Sequence, residues 1–163
     1  MTKNFFTIAI VGILLLAQTQ AEELQVGFAQ LSITPDIIDQ WVDVNDDAQF
    51  DPDIDLWTDV NGNGKFDAVW MAGFQNKRPA QGVKDNLMAV AVVIDDGKNR
   101  IGIVSVDTVG LMRKFVLGVR EAVPAEWGLD YLMVHATHNH EGPDTQGLWG
   151  PGFFSSGVDP DYM

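Results

Sequence analysis

The chain has 163 residues, 46% of them hydrophobic, and its 23 acidic and 10 basic side chains give a formal charge of −13. This length suits one domain, and the hydrophobic fraction is too high for a disordered chain. The absence of cysteine excludes disulfides and a cysteine nucleophile, and the shortage of Lys and Arg argues against nucleic acid as a partner.

Residues 1–21 have the pattern of a secretory signal peptide. Lys3 supplies a positive start, residues 5–16 are almost wholly apolar, and small residues occupy the −3 and −1 positions before Glu22. The apolar run is shorter than the roughly 20 residues that a membrane-spanning helix needs. We therefore expect a secreted or periplasmic protein of residues 22–163, with no transmembrane anchor after cleavage; an uncleaved anchor is the alternative.

The mature chain alternates predicted strands with an acidic segment and one helix. Strands are predicted over residues 24–33, 86–94, 100–106 and 131–136. Asp96-Gly97 supplies turn residues for a hairpin between the second and third strands. Apolar residues at helical spacing predict a helix over 110–123, which Pro124 ends. The order predicts an α/β or α+β fold with a mixed β-sheet and a flanking helix.

Residues 39–70 form an acidic insert that contains a repeat and that we expect to be too polar to form a core. Two segments sixteen residues apart, 43–51 and 59–67, both read D-V-N-x-x-x-x-F-D. Oxygen side chains at positions 1, 3, 5 and 9 match the start of an EF-hand calcium loop. The expected Ca²⁺ ligands of the second copy are Asp59, Asn61, Asn63, the Lys65 carbonyl and Asp67, and those of the first are Asp43, Asn45, Asp47 and Asp51.

Neither copy is a full EF-hand. Position 12, where a bidentate Glu is required, holds Ile54 in the first copy and Trp70 in the second. Gly64 occupies the position of the sharp turn, whereas the first copy has Ala48 there. The loops resemble the short calcium loops of dockerin-type or thrombospondin-type repeats; the alternative is a solvated acidic loop with Asx turns.

All three histidines lie in residues 134–144. On an extended backbone alternate residues share a face, so His138 and His140 should point the same way and His135 the opposite way. Two imidazoles so placed at the end of a strand can present nitrogen ligands to zinc. The alternative is that both rings form hydrogen bonds in a polar loop.

Four stretches in order resemble one known family. Residues 136–143, ATHNHEGP, resemble the A-T-H-T-H-S-G-P signature of the neutral/alkaline, non-lysosomal ceramidase family. Residues 26–35 resemble its opening strand, 73–85 its G-F-x-x-x-R-x-A-x-G-V-H-D segment and 103–107 its V-S-L-D strand. The chain departs from the family pattern at Lys84, where His is usual.

The resemblance implies a zinc amidohydrolase that cleaves the N-acyl bond of ceramide, a lipid substrate. It implies that His138 is a zinc ligand and that His140 is a catalytic residue that contacts the substrate or transition state. Zinc would polarise the amide carbonyl, and a neighbouring imidazole could donate to the oxyanion or to the leaving amine. Because Lys84 and Val90 replace the usual His and Arg, a related N-acyl lipid is an alternative substrate.

Members of the ceramidase family are several times longer, and their other zinc ligands lie downstream. We therefore expect residues 22–163 to be the incomplete N-terminal portion of a catalytic domain, inactive by itself and with apolar sheet surfaces exposed. Two alternatives are a non-enzymatic exported calcium-binding module and another zinc metallohydrolase that shares the H-x-H loop.

Overall fold

The computed structural model describes residues 23–163, so the predicted signal peptide lies outside the described residues. Six strands and one α-helix follow one another, with a short 3₁₀ turn at Ala125–Trp127. Their bounds are β1 Gln25–Ser32, β2 Gln40–Val42, β3 Leu56–Thr58, β4 Met88–Asp95, β5 Arg100–Val106, α1 Arg113–Ala122 and β6 Tyr131–Ala136. Over these residues, no helix is long and apolar enough to cross a membrane.

Four of the strands form the main sheet, in the order β1-β4-β5-β6. The β1–β4 and β4–β5 pairs are antiparallel, and the β5–β6 pair is parallel because α1 forms the connection between those strands. The β4–β5 hairpin turns at Gly97, with φ 81°, as the Asp-Gly pair predicts. The expected mixed sheet with a flanking helix is confirmed, in an α+β arrangement that is mostly β.

The acidic insert has a small aromatic core of its own, so the prediction that it is too polar to form one is wrong. Strands β2 and β3 pair antiparallel, with Trp41 opposite Trp57. Trp41 and Phe50 are buried, and the Phe50 ring stacks on Phe66 with the centroids 4.1 Å apart. The aromatic residues are scattered among acidic ones in the sequence, and only the turning of both loops brings them together.

One face of the main sheet is apolar and exposed. By strand register, Val26, Ile94, Ile101 and Tyr131 form one row across the sheet, and Phe28 begins the next row. All five are exposed, from 37% for Ile94 to 66% for Phe28. The expected exposure of apolar sheet surface is therefore present over residues 23–163.

Candidate functional site

The rings of His138 and His140 meet in the loop that follows β6. Their Nε2 atoms are 3.1 Å apart, and the ring planes are inclined at 71°. The two side chains meet, but not through the strand alternation from which their common direction was predicted. Strand β6 ends at Ala136, and His138 has a left-handed backbone with φ 65°. The loop backbone, rather than strand alternation, therefore makes the pair.

The His138 ring is held in one tautomer. Its Nδ1 lies 2.7 Å from the carbonyl oxygen of Val109, which can only accept a hydrogen bond. The Nδ1–H therefore donates, and Nε2 presents its lone pair toward His140. The backbone around the ring is tied to β5 and the residues after it, since the Thr137 amide donates to Val106 and the Asn139 amide to Thr108.

The geometry of the pair fits one edge of a zinc site. Zinc–nitrogen bonds of about 2.0–2.1 Å at a tetrahedral angle separate two nitrogen ligands by about 3.3 Å, close to the observed separation. A tetrahedral site needs further ligands. Within residues 23–163, no three His, Cys, Asp or Glu side chains form a metal-holding group. The described residues thus place at most two ring nitrogens at this point, with no third acidic or imidazole group beside them.

His135 does not join the pair. It lies on β6, where its ring Nδ1 is 3.4 Å from the Ala136 carbonyl oxygen, and its side chain is exposed. A cavity of about 760 Å³ lies on the other side of the histidine loop, lined by Thr137, Asn139 and Glu141 among others. Lys84 also lines this cavity, but neither His138 nor His140 does. The histidine pair is therefore a surface site.

In the second acidic loop, the predicted ligands come together. The Asp59 carboxylate accepts hydrogen bonds from the amides of Gly62 at 2.6 Å and Gly64 at 2.7 Å, which closes the loop around it. The side-chain amides of Asn61 and Asn63 each lie 2.6 Å from Oδ2 of Asp67. The three side chains are therefore adjacent, joined by hydrogen bonds from the amide nitrogens to the carboxylate, while the side-chain oxygens of Asn61 and Asn63 accept the backbone amides of Asn63 and Lys65.

The backbone of Lys65 belongs to the same loop, since its amide donates a hydrogen bond to the side-chain oxygen of Asn63 at 2.8 Å. A carbonyl at this position is the backbone ligand of an EF-hand loop. EF-hand loops in general use Asn side chains and backbone carbonyls as calcium ligands as well as carboxylates, so such a loop can bind calcium without three acidic side chains.

The first acidic loop repeats this geometry only in part. The Asp43 carboxylate accepts hydrogen bonds from the amides of Asp47 at 3.2 Å and Ala48 at 2.7 Å, and the Asn45 amide donates to Asp47. The Asp51 carboxylate instead accepts a bond from the backbone amide of Asp53, at 3.0 Å. The structure therefore gathers Asp43, Asn45 and Asp47, whereas Asp51 makes a separate turn.

Two buried carboxylates that sequence analysis missed close the loops. Asp39, 1% exposed, accepts hydrogen bonds from the amides of Val60 and Asp67 at 2.9 and 2.8 Å. Asp55, 5% exposed, does the same for the amides of Val44 and Asp51 at 3.0 and 2.7 Å. The signal was present, because Asp39 and Asp55 keep the sixteen-residue spacing of the repeat.

The antiparallel pairing of β2 and β3 explains why Asp39 and Asp55 each close the loop that follows the other strand. Asp39 precedes β2, but its carboxylate closes the loop that follows β3. Asp55 precedes β3 and closes the loop that follows β2. In an antiparallel pair, the start of one strand lies beside the end of the other, so each carboxylate reaches the opposite loop. The insert is thus two loops related by an approximate two-fold axis.

A third carboxylate without a predicted role organises the loop beyond Pro143. Asp144 is 1% exposed and accepts hydrogen bonds from four backbone amides, those of Gln146, Gly147, Trp149 and Gly157. The loop packs on the segment before Arg78, since the Lys77 amide donates to the Gly150 carbonyl oxygen at 2.8 Å.

No protein-family model matches this chain, and no curated protein matches it. The likeness to ceramidases therefore rests on the four motifs, and the activity it implies is a proposal.

Proposed function

We propose that this chain carries part of the metal centre of an exported zinc amidohydrolase that cleaves the N-acyl bond of ceramide or a related N-acyl lipid. The observation that carries the proposal is the approach of His138 Nε2 to His140 Nε2 at 3.1 Å, with the tautomer of His138 set by Val109. Hydrogen bonding of the second ring nitrogen to a carbonyl is the usual support of a metal-binding histidine.

The two histidines have different roles in this proposal. Bound zinc supplies Lewis-acid polarisation of the amide carbonyl. His138 provides the ligand, because its Nδ1 proton is engaged by the Val109 carbonyl oxygen and its Nε2 is free of a proton. His140 is the catalytic residue and not a ligand: with the proton on Nε2, its ring can donate to the oxyanion that develops on the substrate or pass a proton to the leaving amine.

An exposed aromatic side chain beside the pair supports an apolar substrate. Phe74 is 72% exposed, and its ring stands edge-on to His140 with the centroids 5.6 Å apart. A hydrocarbon chain bound at the histidine pair would contact this ring, and that contact would bury its apolar surface.

Zinc titration of the metal-free protein tests the proposal. We expect wild type to bind one zinc ion, and His138→Ala to bind it much more weakly because a direct ligand is lost. His135→Ala is the matched control, since it removes an imidazole three residues away that has no part in the pair. If wild type takes up no zinc, or if His138→Ala and His135→Ala bind it equally, the proposal is wrong.

A second function, calcium binding by the acidic insert, is favoured by the closure of the second loop on the Asp59 carboxylate, which brings the predicted ligands Asn61, Asn63 and Asp67 side by side. We expect calcium to raise the melting temperature of the protein, and Asp59→Asn to weaken that effect. Asp96→Asn is the control, because Asp96 also accepts backbone amides in a turn but lies outside the repeat. A melting temperature that neither calcium nor a chelator changes would refute calcium binding.

A further inference from the structure

The segment 72–78 forms a seat for His140, although the two are far apart in sequence. One nitrogen of the Arg78 guanidinium, Nη2, donates to the carbonyl oxygens of His140 and Ala72, each at 2.7 Å. The other terminal nitrogen, Nη1, lies 3.4 Å from the Glu141 carboxylate. The Arg78 side chain is 13% exposed. One largely buried cation therefore holds the backbone of His140 and of Ala72 and contacts the carboxylate of Glu141.

The imidazole of His140 packs against Gly73, at a position where any side chain would collide with the ring. A Cβ added to Gly73 would come within 2.5 Å of His140 Nδ1 and 2.6 Å of Cγ, and Gly73 has φ +78°. The edge of the Phe74 ring meets the imidazole on another side, and the Arg78 guanidinium lies 5.0 Å from the centre of the Phe74 ring. The ring position of His140 is thus set by three residues of one segment.

The seat carries features that stability alone does not explain. Phe74 and Lys77 have left-handed backbones, with φ 56° and 61°, as does His138 across the site. Such conformations cost of order 1–3 kcal/mol for residues other than glycine, and they concentrate where the surroundings demand a particular geometry. The Nε of Arg78 is buried and has no hydrogen-bond partner among the described residues, which is a further cost.

We propose that Arg78 is a positioning residue that aims the His140 imidazole at His138, and that Gly73 and Phe74 complete the seat. The proposal rests on the proposed zinc function, in which the two Nε2 atoms share one substrate-facing point. Lysine cannot fully substitute, because one ammonium cannot bond the two carbonyl oxygens, reach Glu141 and place a planar group over the Phe74 ring at the same time.

The test compares Arg78→Ala and Arg78→Lys with wild type in the full chain, by zinc titration and by NMR of the metal-free protein. Arg120→Ala is the matched control, because Arg120 also donates to a backbone carbonyl, that of Leu132, and lies over an aromatic ring, that of Tyr131. We expect both Arg78 variants to lose the proton contacts between the His140 and Phe74 rings, while zinc affinity stays near that of wild type because His138 is the ligand. Arg120→Ala should keep the ring contacts.

A rescue experiment separates positioning from general stabilisation. Ethylguanidinium added to Arg78→Ala can fill the space of the missing side chain and should restore the ring contacts, whereas ethylammonium should not. If Arg78→Ala does not fold, Gly73→Ala provides the same readout, because its Cβ displaces the imidazole directly.

The outcomes distinguish this inference from the proposed function. Loss of ring contacts in Arg78→Ala, with wild-type contacts in Arg120→Ala, supports the inference even before zinc is added. Wild-type ring contacts in Arg78→Ala would overturn it, while dependence of zinc binding on His138 would leave the proposed function standing. Zinc binding that does not depend on His138 would overturn the proposed function, and the positioning role with it.

Discussion

The first acidic loop carries a backbone strain that its partner avoids, and this predicts opposite effects for two matched substitutions. Ala48 has φ 58°, and its counterpart Gly64 has φ 76°. A left-handed conformation costs an L-residue roughly 1–2 kcal/mol, whereas glycine adopts it freely. Ala48→Gly removes that cost and should stabilise the protein, and Gly64→Ala introduces it and should destabilise the protein.

The magnitude follows from two opposing terms. Glycine restores freedom to the unfolded chain worth about 0.4–1 kcal/mol, which opposes the relief of strain. The free energy of unfolding should therefore rise by about 0.5–1 kcal/mol in Ala48→Gly and fall by a similar amount in Gly64→Ala. A Cβ on Gly64 would meet no atom within 4 Å, so its cost is purely conformational.

Urea unfolding followed by tryptophan fluorescence measures both changes, since Trp41 and Trp57 lie between the two loops. If a loop binds calcium, Ala48→Gly should raise the calcium affinity of the first loop, and Gly64→Ala should lower that of the second. Glycine at 48 that destabilises the protein, or alanine at 64 that leaves its stability unchanged, would refute the argument, because the two positions would then not share a left-handed backbone.

Three further predictions concern other parts of the molecule. Asp39→Asn and Asp55→Asn should each lower the free energy of unfolding by about 1–3 kcal/mol, because each leaves a buried amide without its acceptor; equal stability to wild type in urea unfolding would contradict this. Zinc-loaded residues 22–163 should release no fatty acid from an N-acyl lipid, and measurable metal-dependent release would show that the described ligands suffice. The Gly97 amide and Arg100 lower the pKa of Asp95 below 3.8, so its folded-state stabilisation is present above that pH and is lost as pH falls through the lowered pKa. An NMR titration of Asp95 in Arg100→Ala should show its pKa rising toward 3.8.

The strands of the main sheet were predictable because their signals are local. The β-branched runs on either side of Asp96-Gly97 predict the β4–β5 hairpin, and the strand at 131–136 has the bounds expected. The predicted helix over 110–123 is shorter in the structure, where α1 spans Arg113–Ala122, because helix ends depend on caps and this helix has no side-chain cap at Met112.

The sequence by itself determined the elements of the sheet, the repeat of the acidic loops and the presence of two histidines two residues apart. Only the tertiary structure decided what surrounds them. Arg78 and the His140 carbonyl oxygen that it binds are 62 residues apart, and Asp39 and the Asp67 amide are 28 apart. Alternating hydrophobicity and turn residues report on interactions between near neighbours in sequence. These contacts instead form only when distant segments pack side by side and exclude water. A buried cation or carboxylate then finds its partners in backbone groups, which leave no mark on the residue pattern.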